Sequence, residues 1–128
     1  MNEKILVVED EPDIAEMMQV NLEAAGYRVI VARDGLAALR LFDSERPNLV
    51  TLDLGLPHVS GFRLLSLFKR PEPPGPVPVI VVTALSFEEG EEAAHAGADD
   101  FITKPVDPNE LIARVAFTLA KRPPTPAS

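Results

Sequence analysis

Short runs of β-branched and other apolar residues alternate with helical patterns along this chain, and that alternation constrains the fold more than any other feature. Four runs are well defined, namely Ile5–Val8, Leu49–Leu52, Val79–Val82 and Phe101–Thr103. Runs of this length and composition predict strands that are buried on both faces, as in parallel sheets. A fifth strand is predicted over Arg28–Ala32.

Apolar residues recur at helical spacing between the predicted strands, as Ile14, Met18 and Leu22 do before Gly26. Alternating strands and helices predict an α/β fold in which helices cover both faces of a five-stranded parallel sheet. The expected strand order is 2-1-3-4-5, the flavodoxin-like doubly wound arrangement. Its switch point lies between strands one and three, where ligands are expected.

The fourth predicted helix, Glu88–Ala96, differs from the others in its composition. It carries four glutamates and Gly90, and it has almost no large apolar residue. Glycine lowers helix stability by about 1 kcal/mol relative to alanine. We therefore expect a weakly packed helix, which is easier to move than its neighbours.

The composition limits the classes of partner and compartment. At 128 residues the chain is long enough for one domain, which we place at 1–121, with 122–128 as a proline-rich tail or the start of a linker. Its net charge of −8 predicts that it does not bind nucleic acid by itself. No apolar run approaches the roughly 20 residues of a membrane span, and cysteine is absent, so we expect a cytoplasmic chain without membrane contact.

Reactive polar residues follow four of the predicted strands. Glu9 and Asp10 follow the first strand, Asp53 the third, Thr83 ends the fourth and Lys104 follows the last. The carboxyl ends of parallel strands emerge at one edge of the sheet, so these side chains are predicted to converge there.

Their chemistry fits a metal-assisted phosphoryl acceptor. A carboxylate such as Asp53 can attack a phosphoryl group and hold it as an acyl phosphate, but a cation must offset the repulsion between the two anions. Asp10 and Asp53 supply the hard oxygens that Mg²⁺ (or Mn²⁺) prefers, and Glu9 could add one through water. The backbone carbonyl of Gly55 could complete the set, and Lys104 could contact a phosphoryl oxygen as a point charge.

Each residue alone also has a plainer interpretation. Acids before Pro12 favour the start of a helix, and Asp53 could be a turn acid. Thr83 could be a strand residue chosen for its β-propensity, and Lys104 a solvated loop lysine. Taken together, their positions at equivalent strand ends favour the functional interpretation.

Four segments carry a family resemblance: Ile5–Pro12, Leu52–Gly61, Val81–Ala84 and Gly97–Pro105. They resemble the receiver domain of two-component response regulators, and the resemblance covers residues 4 to about 121. It implies a phosphoacceptor switch rather than an enzyme, catalytic only in its own phosphorylation and dephosphorylation. The implied donor is a sensor histidine kinase or a phosphotransfer protein, and the implied target is an effector domain or output protein.

The resemblance also implies roles for individual residues. Asp53 would take the phosphoryl group, and Asp10, with the glutamate beside it, would position Mg²⁺. Thr83 would turn towards the phosphoryl group and Lys104 would pair with it. Phe101 would then move inward, and helix four, strand five and helix five would form the face that partners recognise.

The segment before Lys104 is most similar to the winged-helix transcription regulators, which dimerise through charge pairs on that face. A phosphorylation-dependent homodimer is therefore one expectation, with its candidate residues at Asp99, Asp100, Glu110 and Arg114. Helix four departs from the pattern, because Gly90 and glutamates stand where a basic partner is expected. Gly55 and Leu85 lie two residues past the acceptor and the threonine, at positions that tune access of water.

Three other functions compete with the switch. An aspartate-nucleophile phosphohydrolase would need a second acid two residues after its nucleophile, where this chain has Gly55. A nucleotide- or flavin-binding fold would need a glycine- or hydroxyl-rich loop after strand one, where this chain has acids. A receiver-like interaction module that does not depend on phosphorylation is the remaining alternative.

Overall fold

The computed structural model describes residues 2–72, 75–84 and 87–121, so Leu85 and the predicted tail at 122–128 lie outside the described residues. The described residues form five strands and five helices in strict alternation: β1 (Lys4–Val8), α1 (Pro12–Ala24), β2 (Arg28–Ala32), α2 (Gly35–Glu45), β3 (Leu49–Leu52), α3 (Gly61–Phe68), β4 (Val79–Thr83), α4 (Phe87–His95), β5 (Asp100–Thr103) and α5 (Pro108–Lys121). None of these helices is long and apolar enough to cross a membrane.

The sheet has the predicted topology. All neighbouring strands pair in parallel, and their order is β2-β1-β3-β4-β5. Val8, the last residue of β1, lies opposite Ala32 and Leu52, and Thr83 lies opposite Thr103. The strands therefore end at one edge of the sheet, which confirms the doubly wound fold and brings the predicted site residues to that edge.

Two apolar cores lie on opposite faces of the sheet. Because side chains alternate along a strand, Ile5 and Val7 of β1 belong to one core while Leu6 and Val8 belong to the other. The first core is completed by α1 and α5, through Met18, Leu22, Leu111, Val115 and Leu119. The second is completed by α2, α3 and α4, through Ala38, Phe42, Leu64, Leu65, Phe68 and Ala93.

Helix ends follow local sequence signals. Gly26 has φ +102° just after α1, a conformation that favours glycine and that ends the helix as predicted. The Asp34 carboxylate accepts a hydrogen bond from the Ala37 amide at 2.8 Å and caps α2. Asp107 plays a similar part before α5, where its carboxylate accepts from the Asn109 amide at 3.0 Å.

The fourth helix packs as weakly as its composition predicts. Among the α4 side chains that the structure describes, Ala93 alone is buried, and the four glutamates are exposed. A Cβ atom added at Gly90 would meet no atom within 4 Å. The described side chains of this helix thus make few apolar contacts with the sheet, so it is expected to open or shift more easily than its neighbours.

Candidate functional site

Three acids meet at the carboxyl edge of the sheet. Glu9 and Asp10 directly follow β1, and Asp53 directly follows β3, which is the neighbouring strand. The Asp53 amide donates to the Val8 carbonyl at 3.1 Å, which holds the two strand ends together. One carboxylate oxygen from each acid lies within 4.8 Å of the others. The structure thus brings together the acids that the sequence placed at the switch point.

Two of these acids are removed from solvent. Glu9 is 1% exposed and Asp53 is 5% exposed. Burial raises the pKa of Glu9, and the nearby charge of Asp53 acts in the same direction. Hydrogen bonds from Lys104 and from the Glu11 amide oppose that rise only in part. The pocket therefore concentrates negative charge where water screens it poorly.

Lys104 supplies the positive charge inside this cluster. Its Nζ atom lies 3.0 Å from Asp53 Oδ2, 3.0 Å from Glu9 Oε1 and 3.6 Å from Glu11 Oε1. Burial lowers the pKa of Lys104, but hydrogen bonds and charge attraction from Glu9 and Asp53 outweigh this and raise it overall. The lysine is therefore held as an ammonium between the predicted acceptor and a predicted metal ligand.

Backbone contacts bring the other predicted residues to the same edge. The Lys104 amide donates to the Thr83 carbonyl at 3.1 Å, and the Lys104–Pro105 peptide bond is cis. Thr83 itself is buried, at 7% exposed. The Gly55 amide donates to Asp53 Oδ1 at 2.8 Å and Lys104 Nζ donates to Oδ2, so each oxygen of the Asp53 carboxylate has one donor.

The acid cluster fits a divalent cation. Its donors are carboxylate oxygens, the hard ligands that Mg²⁺ and Mn²⁺ prefer. Glu9 Oε1 is buried and faces the Lys104 ammonium, yet within the described part of the chain it has no well-oriented hydrogen-bond donor. A buried carboxylate oxygen without a hydrogen-bond donor lowers the stability of the fold, and a bound cation would supply the missing contact.

Of the predicted switch residues, Thr83 ends β4 and Phe101 lies on β5, while the predicted dimer residues lie on β5, α5 and the turn before β5. Phe101 is half-buried and packs against the core on the α4 side. The Asp99 carboxylate accepts hydrogen bonds from Lys69 Nζ at 2.7 Å and from the Val79 amide at 2.8 Å.

The other predicted dimer residues also pair within the chain. Arg114 Nη1 donates to Asp100 Oδ1 at 2.7 Å, and Arg114 Nε lies 4.0 Å from Glu110 Oε1. The Asp100 bond and charge raise the pKa of Arg114. Their role between two copies of the chain stays a prediction.

Two residues near the acids were not singled out from the sequence. Glu11, expected only as a helix-start acid, occupies the N-cap of α1 without a side-chain cap bond and instead approaches Lys104. Arg33 Nη2 donates to the Asp10 carbonyl at 2.9 Å. Arg33 follows β2, the strand that pairs with β1, so extending the strand-end rule to β2 would have found it.

Comparison with known proteins agrees with this geometry. Over 119 residues the chain is 39% identical to the DNA-binding dual master transcriptional regulator RpaA of Synechocystis, covering 92% of this chain and 49% of that protein. Over 121 residues it is 40% identical to the phosphate regulon transcriptional regulatory protein PhoB of Pseudomonas aeruginosa, covering 94% and 53%. The chain therefore spans about half the length of these relatives.

A solved structure and a family model give the same result for nearly the whole chain. The receiver domain of the Francisella response regulator 1452 superposes with a TM-score of 0.85 at 33% identity, covering 94% of this chain and 98% of that one. The family model of the response regulator receiver domain matches residues 5–116. This chain therefore belongs to the response regulator receiver domain family.

Proposed function

We propose that this receiver domain is a phosphorylation-driven switch that takes a phosphoryl group on Asp53. The observation that carries the proposal is the arrangement around that carboxylate, with Lys104 Nζ at 3.0 Å and two further acids close by. An acceptor needs a cation to reduce repulsion from the incoming phosphoryl group. The domain combines a fixed ammonium with an oxygen-rich cation site, which is the pair of features that this chemistry requires.

The transfer step uses one oxygen of the Asp53 carboxylate as the nucleophile. A new O–P bond forms as the P–N bond of a phosphohistidine breaks, and the electron pair of the broken bond stays with the imidazole, which takes up a proton. Water later attacks phosphorus, which restores the carboxylate and releases inorganic phosphate. The domain thus promotes only its own phosphorylation and dephosphorylation.

The other residues hold charge around the reacting group. Glu9, Asp10, Asp53 and the carbonyl of Gly55 would hold Mg²⁺ or Mn²⁺, which supplies charge neutralisation for the phosphoryl oxygens when it is bound. Lys104 would pair with one phosphoryl oxygen, because it already faces the acceptor. Thr83 would donate a hydrogen bond from its hydroxyl to another phosphoryl oxygen, since it ends β4, the strand beside β3.

The output would use the face formed by α4, β5 and α5. Rotation of the Thr83 side chain towards the phosphoryl group would free space next to Phe101. Phe101 is half-buried and lies on β5, the strand that pairs with β4. Weak packing of α4 supports movement at this face. Proposed partners are a sensor histidine kinase or phosphotransfer protein, and an effector domain, output protein or second copy of the chain that recognises the face. The names of the relatives favour transcription regulation as the output.

The test is phosphorylation by acetyl phosphate with Mg²⁺, followed by intact-mass measurement. We expect one added phosphoryl group, which should be absent without Mg²⁺ and absent from Asp53→Asn. Because fast hydrolysis could hide the product, beryllofluoride is used in parallel while Phe101 and α4 are followed by NMR. No adduct and no spectral change would refute the switch and leave a phosphorylation-independent interaction module as the function.

A further inference from the structure

Arg33 connects the end of β2 to the acidic loop between β1 and α1. The residue is exposed, and its Nη2 atom donates to the backbone carbonyl of Asp10 at 2.9 Å. A second contact supports the same loop, because the Glu9 amide donates to the Ala32 carbonyl at 3.0 Å. Arg33 is thus the side chain that binds the Asp10 peptide group itself.

Asp10 lies in a short loop that is held through its backbone. The loop between Val8 and Pro12 is three residues long, and Asp10 is half-buried within it. Within the described residues, no side chain hydrogen-bonds to the Asp10 carboxylate. By contrast, Glu9 and Asp53 are each held by Lys104. The contact from a described side chain that holds the Asp10 residue is therefore the Arg33 bond to its backbone carbonyl.

We propose that Arg33 is a positioning residue for the cation site and that it holds Asp10 in the orientation that a divalent metal requires. The inference rests on the metal site of the proposed function. Groups that orient metal ligands through hydrogen bonds contribute to metal affinity without touching the metal. The guanidinium also carries a positive charge, which by itself repels a cation. Removal of Arg33 is therefore expected to weaken metal binding if the residue positions Asp10, and to strengthen it if only its charge matters.

Arg28 provides a matched control for this test. It lies at the opposite end of β2, it is exposed, and its Nε atom donates to the Asn2 carbonyl at 3.3 Å. Replacing Arg28 with alanine removes the same charge and the same kind of bond, but it leaves the acidic loop intact. The control separates loss of positioning from a change in net charge.

The experiment measures Mn²⁺ affinity by electron paramagnetic resonance of the free ion, in the unmodified protein and in Arg33→Ala, Arg33→Lys and Arg28→Ala. Positioning predicts that Arg33→Ala binds roughly threefold to tenfold more weakly, in line with one lost hydrogen bond that orients a ligand. Arg28→Ala should bind normally or slightly more tightly. Arg33→Lys, which keeps a donor and the charge, should recover most of the affinity. Amide shifts by NMR in metal-free Arg33→Ala should concentrate at residues 9–11.

The outcomes separate this inference from the proposed function. Absence of Mn²⁺ binding by the unmodified protein would overturn the proposed metal site and the positioning role together. Normal binding by the unmodified protein with unchanged or tighter binding by Arg33→Ala would overturn the positioning role alone. Equal weakening in Arg28→Ala would also overturn it, since that result would reflect a general loss of stability.

Discussion

Lys104 is the internal counter-ion of the acidic pocket. Its ammonium contacts three carboxylates, of which Glu9 and Asp53 are buried. Two buried like charges would oppose folding without such a partner, because neither can be fully hydrated. The position from which the lysine would pair with a phosphoryl group therefore also makes it a structural residue.

Replacement of this lysine tests that dual role. We expect Lys104→Met to lower the free energy of unfolding by about 2–4 kcal/mol at neutral pH without metal, because the remaining carboxylates lose their buried partner. Urea denaturation measures the loss. Mg²⁺ should stabilise this variant more than the unmodified protein, since a divalent cation replaces the missing charge. Lys4→Met serves as the control, because Lys4 pairs with Glu45 at 3.1 Å outside the pocket, and equal rescue of both variants would contradict the idea.

The raised pKa of Lys104 predicts a pH dependence with a definite sign. The folded chain binds the lysine proton more strongly than the unfolded chain, whose pKa is the ordinary 10.5. The stabilising contribution is therefore complete below pH 10.5 and is lost as pH rises through the higher folded value. The difference in unfolding free energy between the unmodified protein and Lys104→Met should shrink across that alkaline range. A constant difference would show that the lysine stabilises by packing rather than by charge.

Elements differ in how closely they contact their surroundings, and two glycines show the extremes. Gly61 begins α3 against the loop after β3, where an added Cβ would clash with Leu54 Cα and lie 2.8 Å from the Leu54 carbonyl oxygen. Gly90 lies in α4 with open space around it. One helix is thus fitted tightly beside the loop after β3, and around Gly90 the other has open space.

Alanine at Gly61 is expected to destabilise the fold by about 1–3 kcal/mol, because backbone atoms of the loop after β3 must move to admit the methyl group. Thermal or urea unfolding measures the effect. Displacement of that loop should also move Asp53, so phosphorylation by acetyl phosphate should slow in the variant. Unchanged stability would mean that the loop moves to admit the methyl group with no loss in the free energy of unfolding.

Alanine at Gly90 is expected to act in the opposite direction. It should stabilise α4 by up to about 1 kcal/mol, because it restricts the unfolded chain and meets no steric conflict. Amide hydrogen exchange within α4 should become slower, while exchange in the central strands stays the same. Faster exchange in α4 would contradict the view that glycine is what weakens this helix.

At the scale of the whole molecule, the strand order and the position of the site could be predicted from the sequence. The apolar runs mark the strands, and parallel pairing brings the residues that follow them to one edge, so Asp53 and Lys104 were predicted to meet. The specific pairings could not be predicted in the same way. Contacts such as Arg33 with Asp10, or Lys69 with Asp99, join side chains that are distant in sequence, and their geometry depends on the rotamers that packing allows.

Charge on the face formed by α4, β5 and α5, the proposed output face, predicts a salt dependence for self-association. Each copy exposes four glutamates on α4, whereas Asp100 and Arg114 already pair within the chain. Two such faces repel one another, and salt screens that repulsion. Beryllofluoride-treated protein should therefore associate more strongly at high salt than at low salt, as measured by sedimentation equilibrium. Association that weakens with salt would show that attractive pairs between the copies dominate.

Because β5 is short, it brings two ion pairs close to one another. The strand begins at Asp100, which is paired with Arg114, and is followed by Lys104, which is paired with Asp53. Four residue steps of extended chain span only about 13 Å. Asp53 is buried, where salt screens charge poorly, so a charge added there would act on Asp100 across this distance as well as through movement of the strand. One short strand thus places both ion pairs within reach of a single chemical change at Asp53.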